Sequence, residues 1–142
     1  MKQINYFLAT IMIALIPMLV SSCKPQVEPD SIVGKWELVE ATRVVKEIPG
    51  AGADLNDLVG QVWSFGVDGK LVVGMDACDY TLADAILNTT YAKQDPFLAN
   101  YFVVQTRTEK DLVLTATYEK KDNKIGDKRT YVITLKFVRI VE

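Results

Sequence analysis

From residue 32 onward, apolar and polar positions alternate with a period of two, the spacing that puts successive side chains on opposite faces of a strand. The pattern is clearest near the C-terminus, where Tyr131, Ile133, Leu135 and Phe137 share one face and Thr134 and Lys136 the other. Leu112, Leu114, Ala116 and Tyr118 stand in the same way against Thr115, Thr117 and Glu119, and Trp63, Phe65 and Val67 against Ser64 and Gly66. β-Branched and aromatic residues fill these runs while Gly, Pro, Asp and Asn separate them. That predicts strands at 32–46, 61–67, 70–75, 78–82, 85–91, 100–107, 112–120 and 129–141. The best helical candidate, 79–91, spaces Leu82, Ile86 and Leu87 plausibly. Its Thr81, Asn88, Thr89 and Thr90 are poor helix formers, so it is read as two short strands. Asp68-Gly69 is the strongest hairpin signal and predicts a type I′ turn, with Glu109-Lys110 a weaker one. Eight short antiparallel strands in a chain of this length predict an all-β, up-and-down barrel.

A barrel of this topology closes by laying its last strand antiparallel beside its first, which brings Arg139 toward Gly34-Lys35-Trp36. Arg139 shares the inward parity of Leu135 and Phe137. A guanidinium there needs an aromatic face and backbone carbonyls, and Trp36 is the obvious partner. Glu40, in step with Trp36 and Leu38, points inward as a partner for a ligand amine, unless a bulge in the first strand turns it out. The tight turns at 68–69, 83–84 and 108–111 share an end with both termini; the longer connections 47–60, 92–99 and 121–128 lie at the other and form a mouth. Pro49-Gly50-Ala51-Gly52 gives the longest of them the flexibility of a lid. Trp63, Phe65, Tyr80, Tyr91, Tyr118 and Tyr131 then read in one of two ways. They line a cavity for a small apolar or aromatic molecule, or they pack a dry core.

The first 30 residues follow a different pattern. After Lys2, residues 6–20 are apolar almost without a break, interrupted by Pro17 and followed by Ser21, Ser22 and Cys23. Fifteen residues fall short of the roughly 20 that a spanning helix needs, and the small residues suit a peptidase, so the segment reads as a signal peptide. Val20-Ser21-Ser22-Cys23 resembles the bacterial lipobox, in which the cysteine thiol is diacylated and the chain is cut just before it. The resemblance implies a signal peptide at 1–22, a lipidated Cys23 with a Pro-bearing tether through 31, and a barrel domain at 32–142. Two or more acyl chains anchor stably. The expected membrane contact is therefore lipid on Cys23, and the tether Lys24-Pro25-Gln26-Val27-Glu28-Pro29-Asp30 is a semi-rigid spacer of roughly 20 Å. Lys24 after the cysteine, where Asp would retain a lipoprotein at the inner membrane of enteric bacteria, points to the outer membrane of a bacterial cell envelope.

Charge narrows the function classes further. Sixteen basic and 18 acidic residues give a net charge of −2, which supplies no pull toward nucleic acid. The chain has no histidine, which removes Ser-His-Asp and Cys-His nucleophiles, His-ligated metals and the usual neutral-pH proton shuttle. No enzyme, cofactor or metal is expected. Cys78 is the one thiol left after lipidation, and Asp76 and Asp79 beside it disfavour a thiolate. The pairs Asp76/Asp79 and Asp54/Asp57 have a spacing that puts them on opposite faces of a strand, unsuited to paired acid–base work. Asp54-Leu55-Asn56-Asp57 departs from a calcium loop at Leu58 and Gly60. The basic run 119–129 reads as a solvated hairpin tip, or as an attraction for an anionic ligand at the mouth. Asp30-Ser31-Ile32 resembles the short O-glycosylation pattern of Bacteroidetes envelope proteins.

Gly34-Lys35-Trp36 near the start of the first strand, with an inward Arg139 on the last, resembles the Gly-x-Trp and arginine closure of lipocalins. With the lipobox, the tether and the hairpin Phe65-Gly66-Val67-Asp68-Gly69, the chain is similar to the lipocalin-like lipoproteins of Bacteroidetes. Long lipocalins carry a second turn motif and a C-terminal helix that are absent here. The resemblance implies a lipid-anchored envelope module holding a small apolar or amphipathic ligand in its barrel. The alternative is a scaffolding lipoprotein with a solid core whose loops contact an envelope protein partner.

Overall fold

The computed structural model describes residues 31–90, 101–121 and 126–142. The alternating runs form β1 (Gly34–Val45), β2 (Gly52–Asp54), β3 (Val62–Phe65), β4 (Lys70–Val73), β5 (Asp76–Ala83), β6 (Ile86–Thr89), β7 (Tyr101–Arg107), β8 (Asp111–Lys121) and β9 (Lys128–Arg139). All pairings are antiparallel. Sheet order is β2-β1-β3-β4-β5-β6-β7-β8-β9, and β1 also pairs with β9, so β1 and β3 to β9 close into an eight-stranded up-and-down barrel. The all-β barrel expected from the alternation is the fold that forms.

Three local features differ from the sequence expectation. Residues 47–60 are built into the wall rather than hanging as a loose lid. Thr42 to Val44 of β1 pair with Asp54 to Gly52 of β2, and a 3₁₀ turn at Asn56–Leu58 follows. The backbone bonds Leu55 N–H to Ala41 O (2.8 Å) and Gly60 N–H to Leu38 O (2.7 Å) hold the segment down, while Leu55 and Leu58 pack on the core. Three exposed residues in β2 have no alternating apolar signature, which is why periodicity misses it. The Asp68-Gly69 turn is also not type I′. Only Gly69 takes a positive φ (+78°), Gly69 N–H bonds to Gly66 O (3.3 Å), and Gly66 N–H bonds to Lys70 O (2.8 Å). That is a three-residue hairpin loop with a left-handed glycine, the arrangement next in frequency after the two-residue loops. Finally, β4 and β5 turn through Gly74-Met75, two residues earlier than the predicted break.

The strands are unequal, and this shapes the molecule. β3, β4 and β6 have four residues each, whereas β1 has 12, β8 has 11 and β9 has 12. The β8–β9 ladder runs unbroken from Asp111/Val138 to Lys121/Lys128, and β9 pairs with β1 from Trp36/Arg139 to Val45/Tyr131. All eight strands meet at the end that carries both termini, termed the narrow end, and among the described residues β1, β8 and β9 continue past the others as a tall wall at the opposite, wide end. Among the described residues, sixteen apolar side chains from Ile32 to Phe137 form the core, none more than 5% exposed. Trp63 sits at the centre of an aromatic group, 5.1 Å from Phe137, 5.9 Å from Phe102 and 6.3 Å from Phe65 between ring centroids. Such tilted and edge-on contacts suit the ring quadrupoles, and the low exposure of every surrounding side chain describes a filled interior in this region.

Candidate functional site

At the narrow end, pairing of β1 with β9 sets Trp36 opposite Arg139. The guanidinium carbon lies 4.1 Å from the Trp36 ring centroid. Its N–H groups donate to Val33 O (2.7 Å), Ser31 O (2.5 Å) and Glu109 O (2.7 Å), and Trp36 Nε1 donates to Ile32 O (2.7 Å). One side chain thereby satisfies carbonyls from the N-terminal segment and from the β7–β8 turn. Burial lowers the Arg139 pKa from its ordinary value, while Glu109 nearby raises it. Gly34 has φ +134°, and a Cβ on it would lie 2.5 Å from Arg139 Nη1. The Gly-x-Trp spacing is thus explained by the guanidinium crossing directly above residue 34.

The five aromatic candidates among the described residues do not form one constellation. Trp63 and Phe65 are each 1% exposed within the filled core. Tyr80 stands edge-on to Phe65 (centroids 5.0 Å apart) near the narrow end, its hydroxyl donating to Gly66 O (2.7 Å). Burial, and secondarily Asp68, raise its phenol pKa above the ordinary 10.0. Tyr118 and Tyr131 lie at the opposite end, paired across β8 and β9 and stacked with centroids 5.0 Å apart and planes 13° from parallel. Tyr91 and Cys23 lie outside the described residues.

The wide end holds a residue that periodicity assigns to the wrong face. In β1, Leu38 faces Phe137 but Glu40 faces Lys136, so one extra residue bulges between them. The bulge reverses inward parity for the rest of the strand. Ala41, Arg43 and Val45 therefore take the inner face beside Leu135, Ile133 and Tyr131. Arg43 lies 5.5 Å from the Tyr131 ring centroid, within cation–π range. Glu40 is turned outward, where its Oε1 meets Lys136 Nζ at 2.7 Å. Of the two readings open for Glu40, the bulged one describes the molecule, and Arg43 is the inward charge instead. Two rungs beyond the tyrosines, Lys120 pairs with Arg129 on the same inner face. The inner side of this wall is thus a stacked phenol pair flanked by cations.

The remaining candidates are dispersed. Asp79 is ion-paired with Lys70 on the outer surface, and Asp76 falls on the other face of β5. Asp54 ends β2 while Asp57 lies in the 3₁₀ turn, both exposed. Among the described residues no group of three or more His, Cys, Asp or Glu is arranged to hold a metal ion. Burial raises the Cys78 thiol above 9.0, with a backbone hydrogen bond from Thr90 opposing and Asp79 adding to the rise. Within the basic run, Lys128 Nζ pairs with Glu119 Oε2 at 2.8 Å. No protein-family model, curated protein or solved structure matches the chain.

Proposed function

We propose that the chain is a lipid-anchored, non-catalytic binding module of a bacterial cell envelope, tethered to the outer membrane through Cys23, that holds a small apolar or amphipathic molecule at the wide end of its lipocalin-like barrel. The observation that carries this reading is the Tyr118–Tyr131 stack, half-buried on the inner face of the wall with Arg43 beside it. Phenol rings of this kind present a flat apolar face and a polar edge, the combination that orients an amphipathic molecule. The filled core beneath them makes a floor, so the bound molecule rests on the tyrosines instead of descending to Trp63 and Phe65. The lack of histidine in the chain supports a binding role over catalysis.

Native mass spectrometry of the chain, produced in the envelope of its own host and purified gently, tests the ligand. A discrete adduct in the native protein, lost in Tyr118→Ala while the melting temperature is largely kept, is the expected result. A bare mass under the same conditions counts against a carrier. Cys23→Ser is expected to move the protein from the membrane fraction to the soluble fraction, and retention in the membrane would remove the anchor from the reading.

The filled core also favours a second reading, an envelope scaffolding protein that contacts a protein partner through its loops. The exposed Ile48 (39%) and Val59 (43%) of the 47–60 segment are the apolar groups it would use. Crosslinked partner recovery that is unchanged in an Ile48→Asp, Val59→Asp double variant would weigh against it.

A further inference from the structure

β7 carries a second bulge. Val104 pairs with Leu114 but Thr106 pairs with Val113, so one extra residue lies between them and parity reverses along the last turn of the strand. Arg107, opposite the inward Leu112, is brought by this shift to the inner rim of the narrow end. There it lines an open cleft of about 440 Å³ together with Ile32, Val67, Tyr80 and Leu82. The N-terminal segment that carries the Arg139 closure forms one wall of the cleft, and the β3–β4 hairpin tip and β5 form the others. The narrow end is thus sealed on its β1–β9 side and open toward β5.

The two arginines of this end are in opposite situations. Arg139 has its N–H groups on three carbonyls and its face on Trp36. Arg107 is half-buried, yet makes no hydrogen bond or ion pair among the described residues. A guanidinium has five donors in a planar fork that matches an oxyanion with two coplanar acceptor oxygens, and partial burial strengthens such a bond over its value in water. The rest of the lining suits an apolar body, with Ile32, Val67 and Leu82 as walls. The Tyr80 hydroxyl, whose proton is engaged by Gly66 O, retains acceptor capacity for a donor on that body. The hairpin carboxylate of Asp68 is turned to Lys70 N–H through Oδ1 (3.1 Å).

We infer that this cleft is an anion site, in which Arg107 grips the carboxylate or phosphate head of a small ligand whose apolar part lies against Ile32, Val67 and Leu82. The site is separate from the tyrosine wall and does not depend on what the wide end holds. The same oxyanion chemistry is offered by a soluble metabolite and by the headgroup of an anionic lipid. The test uses the full chain in a nonionic detergent, dialysed to equilibrium against benzoate, phenyl phosphate and neutral benzamide, with protein-free micelles as blank. Native mass spectrometry of the same preparation after adding phosphatidylglycerol supplies the lipid arm. Arg107→Gln is expected to weaken binding of the anion by about tenfold or more, the value of a charge-assisted hydrogen bond, with the melting temperature unchanged. Val67→Trp, which narrows the cleft from an 84%-exposed hairpin tip without altering charge, is expected to weaken it too. Anion binding by the small probes assigns a soluble ligand, and Arg107-dependent retention of the lipid alone assigns a headgroup. Binding of benzamide as tight as benzoate, or anion binding indifferent to Arg107→Gln, overturns the inference, as does the absence of binding in both arms.

Discussion

Gly34 is the residue whose identity is most constrained by a single contact. Alanine there would have to adopt φ +134° and would place its Cβ 2.5 Å from a guanidinium that three carbonyls and an indole hold in place. Gly34→Ala is therefore expected to cost about 1–3 kcal/mol, the usual cost of a strained backbone position, and to appear as a lowered melting temperature. A melting temperature equal to that of the native chain would mean that the guanidinium yields easily. Cys78 illustrates burial acting on chemistry. Because its thiol pKa is raised above 9.0, chiefly by burial, the thiolate fraction near neutrality is smaller than that of a free cysteine. Alkylation by iodoacetamide at about pH 7.5, followed at the Cys78 peptide by mass spectrometry, is expected to run several-fold slower than for free cysteine. A rate as fast as the free amino acid would contradict the assigned environment.

Among the elements, β1 is the one on which the others depend. It pairs with β9 along its length, with β3 over its first four residues and with β2 over its last turn, and its end is tied down by Glu47. The Thr130 N–H donates to both Glu47 carboxylate oxygens at 2.9 Å, which lowers the carboxyl pKa below 4.5. A carboxylate with a depressed folded pKa contributes stability above its unfolded value and loses it as pH falls through the folded one. Melting temperatures of the native chain and Glu47→Gln are thus expected to differ near neutrality and to converge as the pH falls through the depressed pKa of the folded carboxyl. A difference that is constant from neutral to acid pH would place the effect elsewhere.

For the whole molecule, the central question is which aromatic residues maintain the barrel and which remain available for a ligand. Trp63 contacts three other rings and is 1% exposed, so Trp63→Ala is expected to lose about 3–5 kcal/mol, a large share of the 5–15 kcal/mol typical of a domain. Tyr118, half-buried at the top of the wall, is expected to lose about 1–2 kcal/mol on truncation to alanine. Denaturant unfolding of the two variants checks this directly, and equal losses would mean that the tyrosine stack is as integral to the core as Trp63. The same difference makes Tyr118→Ala the informative variant for ligand binding, because Phe65 is buried in the filled core and its truncation disturbs the fold.

The barrel was legible in the chain because strand alternation has a period of two, and the period alone assigns the inner face wherever the ladder is regular. Trp63, Phe65, Leu112, Leu114, Leu135 and Phe137 are all buried as their parity implies. The meeting of Trp36 with Arg139 followed from topology, since the first and last strands of a closed meander must be neighbours. Parity stops being informative at a bulge, where one added residue inverts every position after it. Arg43 and Arg107 each lie beyond such a bulge, and Glu40 is turned out by the first of them. A bulge is a property of a paired ladder, arising from how two strands share hydrogen bonds, and neither β1 nor β7 carries a local residue pattern that announces it. The separation of the five described aromatic candidates into core, narrow-end cleft and wide-end wall has the same origin. Unequal strand lengths set how high each residue stands in the barrel, and those lengths are decided by pairing across the sheet.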